Sequence, residues 1–168
     1  DLTAPAELAN LSFGQGKLMA TPVHMAQLVG AIVNDGQMVR PRLQLGTADT
    51  DGHLTPAASV PPQTVFSAST AAALRSMMER STEDGTGIRG KPFHGRAAVK
   101  TGTAETGWYE DGEEVVQHWY AGYYPAEDPR YVLVVLSENM EASGVRADPA
   151  FRQLCEELYY RSLIDGVS

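Results

Sequence analysis

The stretch Ala97-Ala98-Val99-Lys100-Thr101-Gly102-Thr103 decides how this chain reads. Its apolar start reads as a strand entering a core. Its end delivers a cation, two hydroxyls and a residue without a side chain to one edge. Thr101 and Thr103, two apart, project to the same face under the period-two rule of extended chains, and Lys100 adds a compact positive charge. Gly102 leaves the backbone bare for close approach. Together these groups can hold an extended peptide by its carboxylate. Standing alone, Lys-Thr-Gly-Thr also reads as an ordinary strand running into a turn, because four-residue patterns recur by chance.

Outward from this stretch the pattern predicts an α+β fold. Ala97 to Tyr109 and Val115 to Tyr124 flank Asp111-Gly112, a dipeptide that favours a tight hairpin because both residues tolerate positive φ. Tyr131 to Leu136 is a continuous apolar run and reads as a strand buried on both faces. It joins the second strand through Pro125-Ala126-Glu127-Asp128-Pro129, so three antiparallel strands result. Asp148, with Pro149 at the first helical position, is expected to cap a last helix whose stripe of Phe151, Leu154/Cys155 and Leu158 lies on the sheet. Upstream, Thr21 and Pro22 open a helix with Met25, Leu28/Val29 and Ile32/Val33 at helical spacing, closed by Gly36. Val39 to Leu45, interrupted by Pro41, is at best a short edge segment. Gly46 to Pro62 reads as an exposed linker. A further helix from about Ser67 to Ser81 places Ala71, Leu74 and Met77/Met78 inward, and Glu83-Asp84-Gly85 stops it.

Composition removes several function classes. A formal net charge of −8 with no basic run argues against a nucleic-acid surface, which needs clustered Lys and Arg. The lone Cys155 reads as a buried small hydrophobe and cannot close an internal disulfide. His24, His53, His94 and His118 show no metal-ligand spacing, and neither metal nor cofactor is expected. Gly85-Thr86-Gly87-Ile88-Arg89-Gly90-Lys91 imitates a phosphate-binding loop, but a helix precedes it where a strand is required, and Pro92 replaces the hydroxyl residue that would meet magnesium. A flexible Gly-rich loop is the better reading. No apolar run approaches the roughly 18 residues of a membrane helix. This chain is therefore expected to make no direct membrane contact.

Lys100-Thr101-Gly102-Thr103 is similar to the third motif of the serine enzymes that react with penicillin. Ser12-Phe13-Gly14-Gln15-Gly16, Thr21-Pro22-Val23-His24-Met25-Ala26 and Asn34-Asp35-Gly36 resemble the segment preceding that motif in class B high-molecular-weight penicillin-binding proteins. The stretch from Val65 to Gly85-Thr86-Gly87 resembles the helix before the motif strand. Trp119-Tyr120-Ala121-Gly122-Tyr123 with Pro125-Ala126 resembles the strand and turn after it. The chain is thus identified as resembling the C-terminal part of a transpeptidase domain, with 1–64 as helical subdomain and linker and 65–168 as helix, motif strand, sheet and last helix.

The resemblance implies a peptidoglycan D,D-transpeptidase that cross-links stem peptides through an acyl-serine and binds β-lactams. Lys100 would hold positive potential in the cleft and Thr101 and Thr103 would bind the carboxylate. Gly102 would allow close approach, and the Thr103 N–H would form half of an oxyanion hole. Trp108 is expected at the cleft rim, whereas the other aromatic residues of the hairpin, Tyr109, Trp119, Tyr120, Tyr123 and Tyr124, read as cross-strand packing. Glu105 reads as structural. None of Lys17, Lys91 and Lys100 has a serine three residues before it; those positions hold Gly14, Ile88 and Ala97. Ser137-Glu138-Asn139 follows the motif instead of preceding it and reads as a strand end. The nucleophile is therefore expected upstream of Asp1, in a parent on the extracytoplasmic face of a bacterial membrane. An N-terminal fragment or a second copy would cover the open sheet. A noncatalytic relative that binds muropeptide or a cell-wall protein is the alternative.

Overall fold

The computed structural model describes residues 4–16, 18–139, 144 and 146–165; Lys17 lies outside them. Helices α1 (Pro5–Ser12) and α2 (Pro22–Val33) come first. Two short antiparallel ladders follow, β1 (Gln37–Met38) with β4 (Gln63–Thr64) and β2 (Gly46–Ala48) with β3 (Leu54–Pro56). Helix α3 (Ala68–Asp84) leads through a 3₁₀ turn at Ile88–Gly90 into the main sheet. That sheet is β5 (Ala98–Glu110), β6 (Glu113–Tyr124) and β7 (Tyr131–Ser137), antiparallel and in that spatial order, and α4 (Ala147–Ile164) ends the chain.

Alternation along the strands builds two cores. Ala98, Ala121, Tyr123, Val132 and Val134 face one way, where they meet Val29 and Ile32 of α2 and Met78 of α3. Val99, Tyr120, Tyr124, Leu133 and Val135 face the other way and meet Phe151 and Cys155 of α4. The sheet is therefore a middle layer between helices, as an α+β arrangement requires.

The helix starts follow the expected chemistry. Thr21 Oγ1 accepts from the His24 N–H at 3.2 Å, and Ser67 Oγ accepts from the Thr70 N–H at 3.1 Å, each satisfying an orphan donor of a first turn. Helix α4 differs. It begins at Ala147 with Arg146 at the cap position and no side-chain cap, so Asp148 sits inside the first turn. There its carboxylate complements the helix dipole and pairs with Arg146, Nε to Oδ1 at 3.0 Å.

Three further expectations need adjusting. The exposed stretch from 46 to 62 contains the β2–β3 hairpin, whose turn is organised by Asp49 Oδ1 accepting from the Asp51 and His53 N–H groups. Strand β7 is half-buried instead of buried: both its faces are packed, but it forms one margin of the sheet. The Gly-rich loop is a packed turn. A Cβ at Gly87 would stand 2.4 Å from Val99 Cγ1, and one at Gly90 would stand 2.7 Å from the Tyr120 ring, so both glycines are required by close approach. The β5–β6 turn is as expected, with φ of 50° at Asp111 and 87° at Gly112.

Polar ties fix the base of β5. Arg96 reaches Glu83 at 3.0 Å, Glu79 at 3.3 Å and Glu127 at 3.6 Å, joining α3 to the β6–β7 connection. Arg96 holds the Glu83 carboxyl below its ordinary range through a hydrogen bond. Next to it, Glu156 of α4 accepts from the Phe93 and His94 N–H groups at 2.6 and 3.1 Å and meets His94 Nδ1 at 2.6 Å. The His94 ring stacks on Tyr159 with centroids 4.5 Å apart, and Tyr160 meets it edge-on at 5.5 Å.

Candidate functional site

Strand β5 lies at the margin of the sheet opposite β7, so among the described residues one of its edges carries no strand. In an antiparallel strand the N–H and C=O of a given residue point to the same side, alternating residue by residue. Gln15 Nε2 donates to the Thr103 carbonyl at 3.1 Å, which places that carbonyl, and with it the Thr103 N–H, on the open edge. Thr101 shares the parity of Thr103. Its carbonyl accepts from Lys100 Nζ at 2.5 Å, so the lysine head curls over the same edge.

The side chains divide between faces. Lys100 is paired across the ladder with Ala121 and stands on the α2–α3 side, whereas Thr101 and Thr103 are paired with Tyr120 and His118 and stand on the α4 side. The structure thus brings Thr101 and Thr103 together on one face and brings Lys100 to them only around the strand edge. Gly102 lies over Trp119, where an added Cβ would be 3.4 Å from Trp119 Cβ, a tight but tolerable contact.

On the α4 side a groove of about 340 Å³ is lined by Thr86, Thr101, Thr103, His118, Arg89 and Arg146, with Asp148 at its wall. Thr86 Oγ1 and Thr101 Oγ1 are 2.8 Å apart and hydrogen-bonded. The phenol of Tyr120, also in the lining, donates to the Thr86 carbonyl at 3.4 Å, and burial pushes its pKa up, so it stays a neutral donor. Hydroxyls, an imidazole and two guanidiniums give this groove donors for anionic oxygen, set against the one carboxylate of Asp148. Arg89 and Arg146 were not legible as site residues, since neither falls within the motif and only the packing of the 3₁₀ turn and the start of α4 brings them there.

A second groove, about 530 Å³, runs past the end of the motif between Phe13, Gln15 and Gly16 on one side and Glu105, Thr106 and Glu114 on the other. Trp108 lines neither groove. It stands 68% exposed beyond an irregularity in the β5–β6 register between Glu105 and Tyr109, where Gly107 takes φ 70°. Ser137 ends β7, and Asn139 Nδ2 donates to Glu110 Oε2 at 2.6 Å at the far end of the hairpin from Lys100. Among the described residues no helix is long and apolar enough to cross a membrane, and no cluster of three acidic, His or Cys residues could hold a metal.

Comparisons with known proteins identify the family. The family described as penicillin binding protein transpeptidase domain matches residues 4–156. Penicillin-binding protein PbpB of Mycolicibacterium smegmatis is 32% identical over 178 residues, covering 96% of this chain and 27% of the relative. Stage V sporulation protein D of Bacillus subtilis is 30% identical over 80% of this chain and 21% of its own length. The crystal structure of penicillin binding protein 3 from Mycobacterium tuberculosis, complexed with aztreonam, superposes with a TM-score of 0.78 at 31% identity, over 95% of this chain and 39% of that one. The chain therefore spans about a quarter of the curated relatives it matches. With the Lys-Thr-Gly-Thr strand at an open sheet edge and the family match running through nearly all its elements, the chain belongs to the penicillin binding protein transpeptidase domain family.

Proposed function

We propose that this chain is the C-terminal part of a peptidoglycan D,D-transpeptidase, one domain with 1–64 contributing helical subdomain and linker and 65–168 the sheet portion. Thr101 and Thr103 bind the carboxylate of a D-alanyl-D-alanine stem peptide or of a β-lactam, and Lys100 supplies positive potential at the strand edge. The peptide adds as an extra strand along β5, where edge amides and carbonyls give affinity and the side-chain grooves give selectivity. The Thr103 N–H is one donor of an oxyanion hole; the loss of such a donor typically costs about 3 kcal/mol of barrier. The single observation that carries this reading is the open β5 edge, which presents Thr103 backbone groups beside a hydroxyl- and guanidinium-lined groove.

The nucleophile comes from a preceding Ser-x-x-Lys segment of the same protein. Serine attack would form an acyl-enzyme that an amine from a neighbouring stem peptide resolves, splitting one difficult step into two easier ones. In this reading the isolated chain is inert, and an N-terminal segment covers the sheet margin at β7. The whole protein acts on the extracytoplasmic face of a bacterial membrane. Benzylpenicillin carrying a fluorophore tests it: the full-length protein is expected to be acylated at one equivalent, the isolated chain not at all. Covalent label on a serine of this chain would overturn the assignment. An upstream reading frame without Ser-x-x-Lys would instead leave a noncatalytic binding module.

A further inference from the structure

The two faces of β5 pose a problem of charge. Thr101 and Thr103 project into the groove on the α4 side, whereas the stem of Lys100 lies on the opposite face with Ala98 and Ala121, and its head bonds the Thr101 carbonyl. Hydroxyls alone are weak hosts for a carboxylate leaving water, because an anion in a partly desolvated groove needs a cation or several strong donors. On the threonines' own face the cations are Arg89 and Arg146.

We propose that Arg89 and Arg146 are carboxylate-selecting residues, two guanidiniums that flank the Thr101–Thr103 hydroxyl row and make this groove prefer an anionic terminus. The inference rests on the transpeptidase reading and deepens it. Both arginines are placed from the backbone outward. Arg89 belongs to the 3₁₀ turn, whose Gly90 is pressed under the Tyr120 and Phe151 rings and whose Arg89 carbonyl accepts from the Arg152 guanidinium. Arg146 is oriented by Asp148, which takes its Nε at 3.0 Å and Nη2 at 3.4 Å.

The formal charges decide the ligand class. Two guanidiniums and one carboxylate among the lining side chains leave the groove net positive, which favours an anionic ligand. Thr86 and Thr101 spend one hydroxyl proton on each other and keep the second to donate. Arg is suited to this task, since a guanidinium has donors on more than one edge: Asp148 takes Nε and Nη2 of Arg146, and the Nη1 protons remain for a ligand. Lys100, reaching the edge from the other face, is then left to act on the reacting end of the substrate.

The test uses the full-length protein with two probes, benzylpenicillin and its methyl ester, and reads the ratio of their second-order acylation constants. Arg89→Gln and Arg146→Gln are each expected to lower the acid-to-ester preference by about threefold to tenfold. The double variant should lower it by about tenfold to a hundredfold, the range that losing charge-assisted hydrogen bonds implies. Arg146→Lys should recover part of the preference. A merely structural defect would lower both rates together and leave their ratio unchanged. Variants that are acylated but keep the parent's preference overturn the inference and leave the transpeptidase reading standing. A parent that neither probe acylates overturns that reading, and this inference with it. Should the double variant fail to fold, the two single variants decide: unchanged preference in both overturns the inference.

Discussion

Gln15 shows how much one residue can carry. Its amide occupies the Thr103 carbonyl that an added peptide strand would need, so the open edge is capped by the chain's own side chain. A net hydrogen bond of about 1 kcal/mol corresponds to roughly fivefold in an equilibrium constant. Gln15→Ala is accordingly expected to strengthen noncovalent β-lactam binding by up to about fivefold, read from the saturation of acylation rate in the full-length protein. Weaker binding would show that Gln15 assists the ligand instead. Phe151 of α4 is fully buried against Tyr120 and the sheet, and Phe151→Ala should cost about 3–5 kcal/mol in denaturant unfolding. Beside it, burial pushes the Cys155 thiol up to about 12. Cys155 should therefore resist a thiol reagent at neutral pH until the protein is unfolded, and rapid labelling of native protein would contradict its placement.

At the scale of elements, the contact between α4 and the segment before β5 is sensitive to acid. Burial raises the Glu156 pKa, but the His94 ring and the Phe93 and His94 N–H groups outweigh it and hold the carboxyl below its ordinary 4.5. A carboxyl depressed in the folded state adds stability above its unfolded value, and that stability drains away as pH falls through the folded one. Glu156→Gln should therefore lower the melting midpoint near neutrality and flatten its decline below about pH 4.5. An unchanged acid limb would mean the contact is energetically idle. The elements themselves were largely legible, because Thr21, Ser67 and Asp111-Gly112 are local signals that act through their own backbone neighbours. Asp148 misled because a carboxylate is nearly as favourable inside a first turn as at the cap, and Arg146 settled the choice. The β2–β3 hairpin was hidden because its register depends on one Asx turn at Asp49, not on alternating apolar residues. The motif was readable as a strand, but which side chains share its groove was not, since Arg89 and Arg146 arrive through packing between elements far apart in sequence.

At the scale of the molecule, the sheet has, among the described residues, two margins without a neighbouring strand, and they differ in character. The β5 margin is capped by Gln15 and offers polar groups, whereas β7 presents Val132 to Leu136 in a half-buried apolar strand. An unprotected apolar strand margin recruits another chain. The isolated chain should elute as dimers or larger species in size-exclusion chromatography at micromolar concentration, and joining it to the proposed N-terminal segment should return a monomer of single size. A stable lone monomer would show that the β7 margin needs no cover. The stack of His94, Tyr159 and Tyr160 has a consequence of its own. Rings locked in an asymmetric array produce near-ultraviolet circular dichroism that vanishes when tertiary packing loosens. Because this array forms only where the last helix seats against the segment leading into the motif, its ellipticity is a built-in optical gauge of whether the two halves of the sheet's support have come together.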